Sequence, residues 1–161
     1  MSRPLAALGL VAAVGTAVPA AAADGKALFA QRCAACHQAD ASGASGFIPP
    51  LRETLGHFLA VDGGDAYLVN VVTNGLVGRI DVGGQAYASN MPAFGGDLDA
   101  AEIAAVLRYV LTRFNDGSAE AAGAITREQV ATLADDSLTA NAVHRTRRTV
   151  TDRLAAEGLK R

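Results

Sequence analysis

The sequence predicts an all-α fold, a few helices gathered around one bound cofactor, with a helical extension at the carboxy terminus. Three observations carry this. Apolar residues recur at helical spacing, as in Leu51, Leu55 and Phe58, or Leu68, Val69 and Val72. A Cys33-Ala34-Ala35-Cys36-His37 string closes the first helical segment. Aromatics make up only 5% of the 161 residues and Trp is absent. A small helical protein so poor in aromatics has a thin core, which a large buried apolar group would complete.

The amino terminus reads as an export signal. Arg3 supplies a positive charge, Leu5 to Val18 is apolar, Pro19 breaks the run, and Ala21-Ala22-Ala23 offers a cleavage site before Asp24. Residues 1–23 are therefore expected to be a cleaved signal peptide, and the protein to work in the periplasm. Leu5 to Ala23 is uncharged for 19 residues. That is near spanning length, so an uncleaved membrane anchor stands as the alternative.

The first helix is expected over about 25–38, and its end holds the chemistry. C-x-x-C-H is the attachment signal for a c-type haem. Two thiols three positions apart share one face of a helical turn, and each can form a thioether with a haem vinyl group. The imidazole of His37 then meets the iron. A thioredoxin-like pair would need a strand–helix context, whereas Cys33 follows the helical run from Gly25 to Arg32. A structural zinc site needs four protein ligands. Apart from two Cys and His37, the chain offers only His57 and His144, far off in sequence. Export to an oxidising compartment usually predicts disulfides. Here haem c, one per chain through Cys33 and Cys36, would consume both cysteines.

Residues 39–50, rich in Ser, Gly and Pro, form a loop. A short helical turn follows over 52–59. Asp62-Gly63-Gly64 punctuates, and a helix runs from Asp65 to Thr73, closed by Asn74-Gly75. Residues 77–87 are mixed, with Ile80-Asp81-Val82, Gly83-Gly84 and Gln85-Ala86-Tyr87 reading as a small β-hairpin.

Next comes Asn90-Met91-Pro92-Ala93-Phe94-Gly95. A soft neutral thioether favours ferrous iron, and His/Met ligation raises the reduction potential. The other methionine is the initiator. If a methionine binds this iron, it is Met91, with Pro92 stiffening its loop. The competing role for Met91 is core filling. Asp97 or Asp99 caps a helix that runs to about Phe114.

These landmarks together resemble the class I cytochromes c, and the small monohaem cytochromes of bacterial respiratory chains in particular. The resemblance covers roughly Asp24 to Phe114. It rests on Gly25 and Phe29, the Cys33–His37 motif, Ile48-Pro49-Pro50-Leu51, Gly83-Gly84-Gln85-Ala86-Tyr87, Met91-Pro92-Ala93-Phe94-Gly95 and the final helix. It implies a crossing of the first and last helices through Gly25 and Phe29 against Val106 and Tyr109. It also implies that the Pro49 carbonyl accepts the Nδ1 proton of His37, and that His37 and Met91 are the iron ligands. Pro49, Leu51, Tyr87 and Phe94 join the cofactor-binding set.

Burying haem carboxylates requires hydrogen-bond donors nearby. Arg79, Gln85 and Tyr87 are the candidates from the sequence. His57 is the other imidazole of the domain, and is read as a surface or propionate-side residue, with axial ligation as the alternative.

Residues 115–125 read as an Ala/Gly-rich linker, and 126–161 as a helical extension. Thr126-x-x-Gln129 is a capping box opening a short helix. A longer one starts near Thr139, with Val143, Val150 and Leu154 as a sparse seam. From 141 onward six side chains are basic and two acidic, against seven basic and fourteen acidic over 24–140. The extension could lie on its own acidic domain, dock to a partner subunit or membrane surface, or stand solvated. The negative total charge and the export signal speak against nucleic acid.

The expected function is single-electron transfer with a redox partner protein, as a soluble carrier or as the cytochrome subunit of a respiratory or dehydrogenase complex. No catalytic nucleophile or acid–base pair is evident. The alternative is a haem-based sensor or haem enzyme with a displaceable sixth ligand.

Overall fold

A computed structural model describes residues 22–159. The signal-peptide segment lies almost wholly outside them. The first helical stretch is one continuous run of three parts: α1 (Gly25–Leu28), a π-helical segment (Phe29–Cys33) and α2 (Ala34–His37). Asp24 caps it, its carboxylate accepting from the amides of Lys26 and Ala27. The π segment is a single widened turn that ends on the motif's first cysteine, Cys33. It is the kind of bulge that collects at functional sites. A 3-10 turn (Gly56–Ala60) leads to α3 (Gly64–Asn74). Gly75 ends α3 at φ 76°, a left-handed position that suits glycine.

The fold is mostly helical but not purely so. Strands β1 (Leu76–Val82) and β2 (Gln85–Met91) pair antiparallel, in register from Leu76↔Met91 to Val82↔Gln85. This corrects the all-α expectation. The hairpin was legible in part, through Ile80–Tyr87. Its outer half was not, because Gly78, Ser89 and Asn90 carry little strand preference. Gly83 and Gly84 both have positive φ, as a two-residue turn of the primed type demands. Leu76, Ile80, Val82 and Tyr87 are buried, while Arg79, Asp81 and Gln85 are exposed.

Helix α4 (Ala100–Phe114) begins with a complete capping box between Asp99 and Glu102. It buries Ile103, Val106, Leu107, Val110 and Leu111. The first helical run crosses it at Gly25. A Cβ there would collide with the Ala105 carbonyl and lie 2.9 Å from Tyr109 Cβ. Phe29 packs on Tyr109, Phe114, Val106 and Val110.

Helices α5 (Ala119–Gly123), α6 (Arg127–Leu133) and α7 (Ala140–Ala156) complete the chain. Helix α5 falls within the segment read as a linker. Thr126 caps α6, but the Gln129 side chain donates to Asp65 at 2.9 Å instead of closing the box. The extension lies back on the rest of the molecule. Ile125, Val130, Val143, Val150 and Leu154 are at most 1% exposed and share one core with α3, α4 and the hairpin. Polar bonds hold the same interface. Asn70 donates to Leu133 O and accepts from Asp135 N, Arg108 donates to Ile125 O, and a His144 ring nitrogen lies 2.8 Å from Arg79 O. Gly78 makes room for that ring, a Cβ there falling 3.2 Å from it.

Candidate functional site

One largely apolar cleft gathers side chains from nearly every element. The first helical run contributes Cys33, Cys36 and His37. The loop after it contributes Pro49 and Leu51, and the hairpin and following loop contribute Tyr87, Met91 and Phe94. These eight are the site residues expected from the sequence, and the fold brings them to one place.

The geometry of each follows from local structure. His37 is buried, and its Nδ1 lies 3.0 Å from the Pro49 carbonyl oxygen. A carbonyl only accepts, so Nδ1 carries the proton and Nε2 keeps its lone pair. Burial holds the imidazole below its ordinary pKa, with the bond to Pro49 pulling the other way. A neutral, oriented imidazole is what a metal ligand requires. Met91 closes β2 and is half-buried. The loop after it is strapped to α3, because Phe94 N donates to Val72 O at 2.9 Å and Gly95 N to Thr73 O at 3.0 Å. With Gly75 N on Val71 O, these bonds satisfy carbonyls that the end of a helix leaves open. The same bonds anchor Met91's loop.

The two cysteines are free, Cys33 half-buried and Cys36 exposed. The Cys33 thiol is pushed up to about 11, by burial first and by Cys36 second. A thioredoxin-like pair relies on the opposite shift, so this direction does not favour the redox-motif reading. Among the described residues no cluster of three His, Cys, Asp or Glu side chains could hold a metal ion, which leaves a structural zinc site without ligands.

Other sequence candidates fall elsewhere. Arg79 and Gln85 are exposed and do not line the cleft, Gln85 donating to its neighbour Ala86 O. His57 sits on the 3-10 turn beside Phe58, ring centroids 5.1 Å apart, and is not among the lining residues. The lining residues that the sequence reading did not assign to the site include Tyr67 on α3 and Arg147 on α7. Arg147 donates to Tyr67 Oη at 3.1 Å and to Asp81 O at 2.9 Å. Burial raises the Tyr67 phenol's pKa, and the guanidinium pulls part of that back. Asn115 also went unread. Its Oδ1 accepts from the amides of Thr54, Leu55 and Gly56, and its amide donates to Leu51 O and Val110 O. It pins the cleft's Leu51–Leu55 wall to the end of α4.

Residues 20–110, more than half of the chain, match the family model described as cytochrome c oxidase, cbb3-type, subunit III. The chain belongs to the cytochrome c family. It is 43% identical over 96 residues to a cytochrome c-552 of Thermus thermophilus, a match spanning 60% of this chain and 64% of that relative. A second Thermus thermophilus cytochrome c-552 is 43% identical over 94 residues, 58% of this chain and 70% of its own. The chain thus spans just under two thirds of the first relative's length. Cytochromes c carry covalent haem c, and Cys33 and Cys36 supply the thioether positions here. The cleft fits that group: paired thiols, a neutral imidazole, a thioether and apolar walls lie together.

Proposed function

We propose that this cytochrome c is a periplasmic single-electron carrier whose iron is held by His37 and Met91. The observation that carries this is their presence, with both cysteines, in one apolar cleft. When bound, haem c supplies a reversible one-electron Fe(III)/Fe(II) couple. Each protein group has a separate task. Cys33 and Cys36 tether, His37 presents Nε2 while Pro49 O holds its tautomer, and Met91 offers its sulfur from a loop strapped to α3. Apolar walls keep water from the metal and so favour the less charged, reduced state. With His37 and Met91 both committed to holding the group, no position on it would be left open to a substrate.

Periplasmic placement rests on the export-type amino terminus. Among the described residues no helix is long and apolar enough to cross a membrane. The partner is a redox protein, and service as a subunit of a respiratory complex is the extension of this reading that the family description supports.

The test is optical. Wild-type protein should be low-spin in both oxidation states, show the weak far-red band of a ferric–thioether bond when oxidised, and resist carbon monoxide when reduced. Met91→Ala should lose that band and bind carbon monoxide. Ready carbon monoxide binding by the wild type would overturn His/Met closure and favour a sensor or enzyme with a displaceable ligand.

A further inference from the structure

Arg147 is 7% exposed and lines the cleft. Its guanidinium lies over the Phe58 ring at 5.4 Å and the Tyr67 ring at 5.9 Å. Of its five N–H donors, one meets Tyr67 Oη and one meets Asp81 O. Both acceptors are neutral. Among the described residues it pairs with no carboxylate; the ion pairs there are Arg52–Asp40 and Arg153–Asp62, both exposed. Arg32, the other cation on the cleft wall, is exposed to solvent. A buried, always-charged guanidinium without an anion is strongly disfavoured. Its remaining donors need an acceptor, and a carboxylate matches their fork geometry.

We propose that Arg147 is the anion-binding residue of the cleft and takes a propionate carboxylate of haem c. This rests on the covalent-haem reading. It makes α7, which lies wholly outside the matched residues 20–110, a working wall of the cofactor pocket. Tyr67 Oη and Asp81 O orient the guanidinium, and the flanking Val143 and Val150 seat the part of α7 that carries it. The fixed positive charge disfavours the ferric state, so Arg147 raises the reduction potential.

The experiment compares full-length holoprotein of wild type, Arg147→Met, Arg147→Lys and Leu154→Ala. The pyridine haemochrome spectrum first establishes covalent haem in each, separating this proposal from the reading beneath it. At a fixed solution potential, Arg147→Met should raise the oxidised-to-reduced ratio about threefold or more, a shift readable on the one-electron scale. Arg147→Lys should restore most of it. Leu154→Ala, which loosens α7 away from the cleft, should lower thermal stability and leave the ratio as in wild type. A wild-type ratio in Arg147→Met, or an equal shift in Leu154→Ala, would overturn the proposal. If Arg147→Met fails to fold, nuclear magnetic resonance of the reduced wild type decides. Arg147 side-chain N–H protons should show cross-peaks to a propionate methylene, and their absence sinks the idea.

Discussion

Single side chains decide this site through their hydrogen bonds as much as through their chemistry. His37 is a suitable ligand because one carbonyl, Pro49 O, fixes which nitrogen bears the proton. Asn115 shows the structural counterpart. It satisfies three consecutive amides that no secondary structure pairs, and it is 4% exposed. Asn115→Leu keeps the branching at Cγ and strands those amides. Stability should fall by on the order of 3 kcal/mol, measured by denaturant unfolding of the holoprotein, because each orphaned buried donor carries its full desolvation penalty. An unchanged midpoint would show that water replaces the amide oxygen. Gly25 is a second such position. Gly25→Ala should destabilise by about 2 kcal/mol or more, since the added methyl meets the backbone of α4 and cannot swing aside. A variant as stable as wild type would mean that the helix crossing opens freely.

Among the elements, the hairpin and α7 do the positioning that the first helix cannot. The register of β1 and β2 delivers Met91 at the sheet's open end, beside the end of α3, where Gly75 allows the chain to turn back. Helix α7 covers α3 and β1 with a seam of only three aliphatic residues, yet all three are fully buried. The basic side chains around that seam are divided in use. Arg147 enters the cleft and Arg153 pairs with Asp62, whereas Arg145 and Arg148 face solvent. Leu154→Ala should therefore cost about 2–5 kcal/mol, the range for emptying a fully buried leucine site. Thermal unfolding checks this, and a loss below about 0.5 kcal/mol would mark α7 as loosely attached.

At the scale of the whole molecule, the cofactor is part of the core. The cleft walls include Phe58, Leu68, Leu76, Ile80, Val82 and Leu107, which also belong to the main hydrophobic cluster. Without haem those walls face one another across open space or water. A chain with Cys33→Ala and Cys36→Ala, purified free of haem, should keep part of its helical far-ultraviolet signal and lose its near-ultraviolet signal and sharp unfolding transition. A cooperative transition at the temperature of the holoprotein would show that the fold closes without its cofactor. The charge distribution works at the same scale. Residues 24–140 are net acidic, while Arg145 and Arg148 of α7 stand exposed to solvent. Encounter with a redox partner of complementary charge is then expected to slow as salt rises.

The sequence by itself determined the chemistry that depends on near neighbours. Two thiols and an imidazole within five residues specify their cofactor, because a porphyrin's dimensions match one helical turn. Met91 stood out by elimination as the candidate thioether, and the caps at Asp99, one of the two aspartates read there, and at Thr126 followed from short-range bonding rules. Tertiary structure alone decided which distant residues share the cleft. Arg147 meets Tyr67 across 80 positions, and Asn115 meets Thr54 across 61. No local period encodes such contacts. An arginine on a basic helix and an asparagine after a helix end look like solvated residues until packing removes their water. The sheet's full length was decided the same way, since Gly78 and Asn90 join a strand through their partners and not through their own preferences.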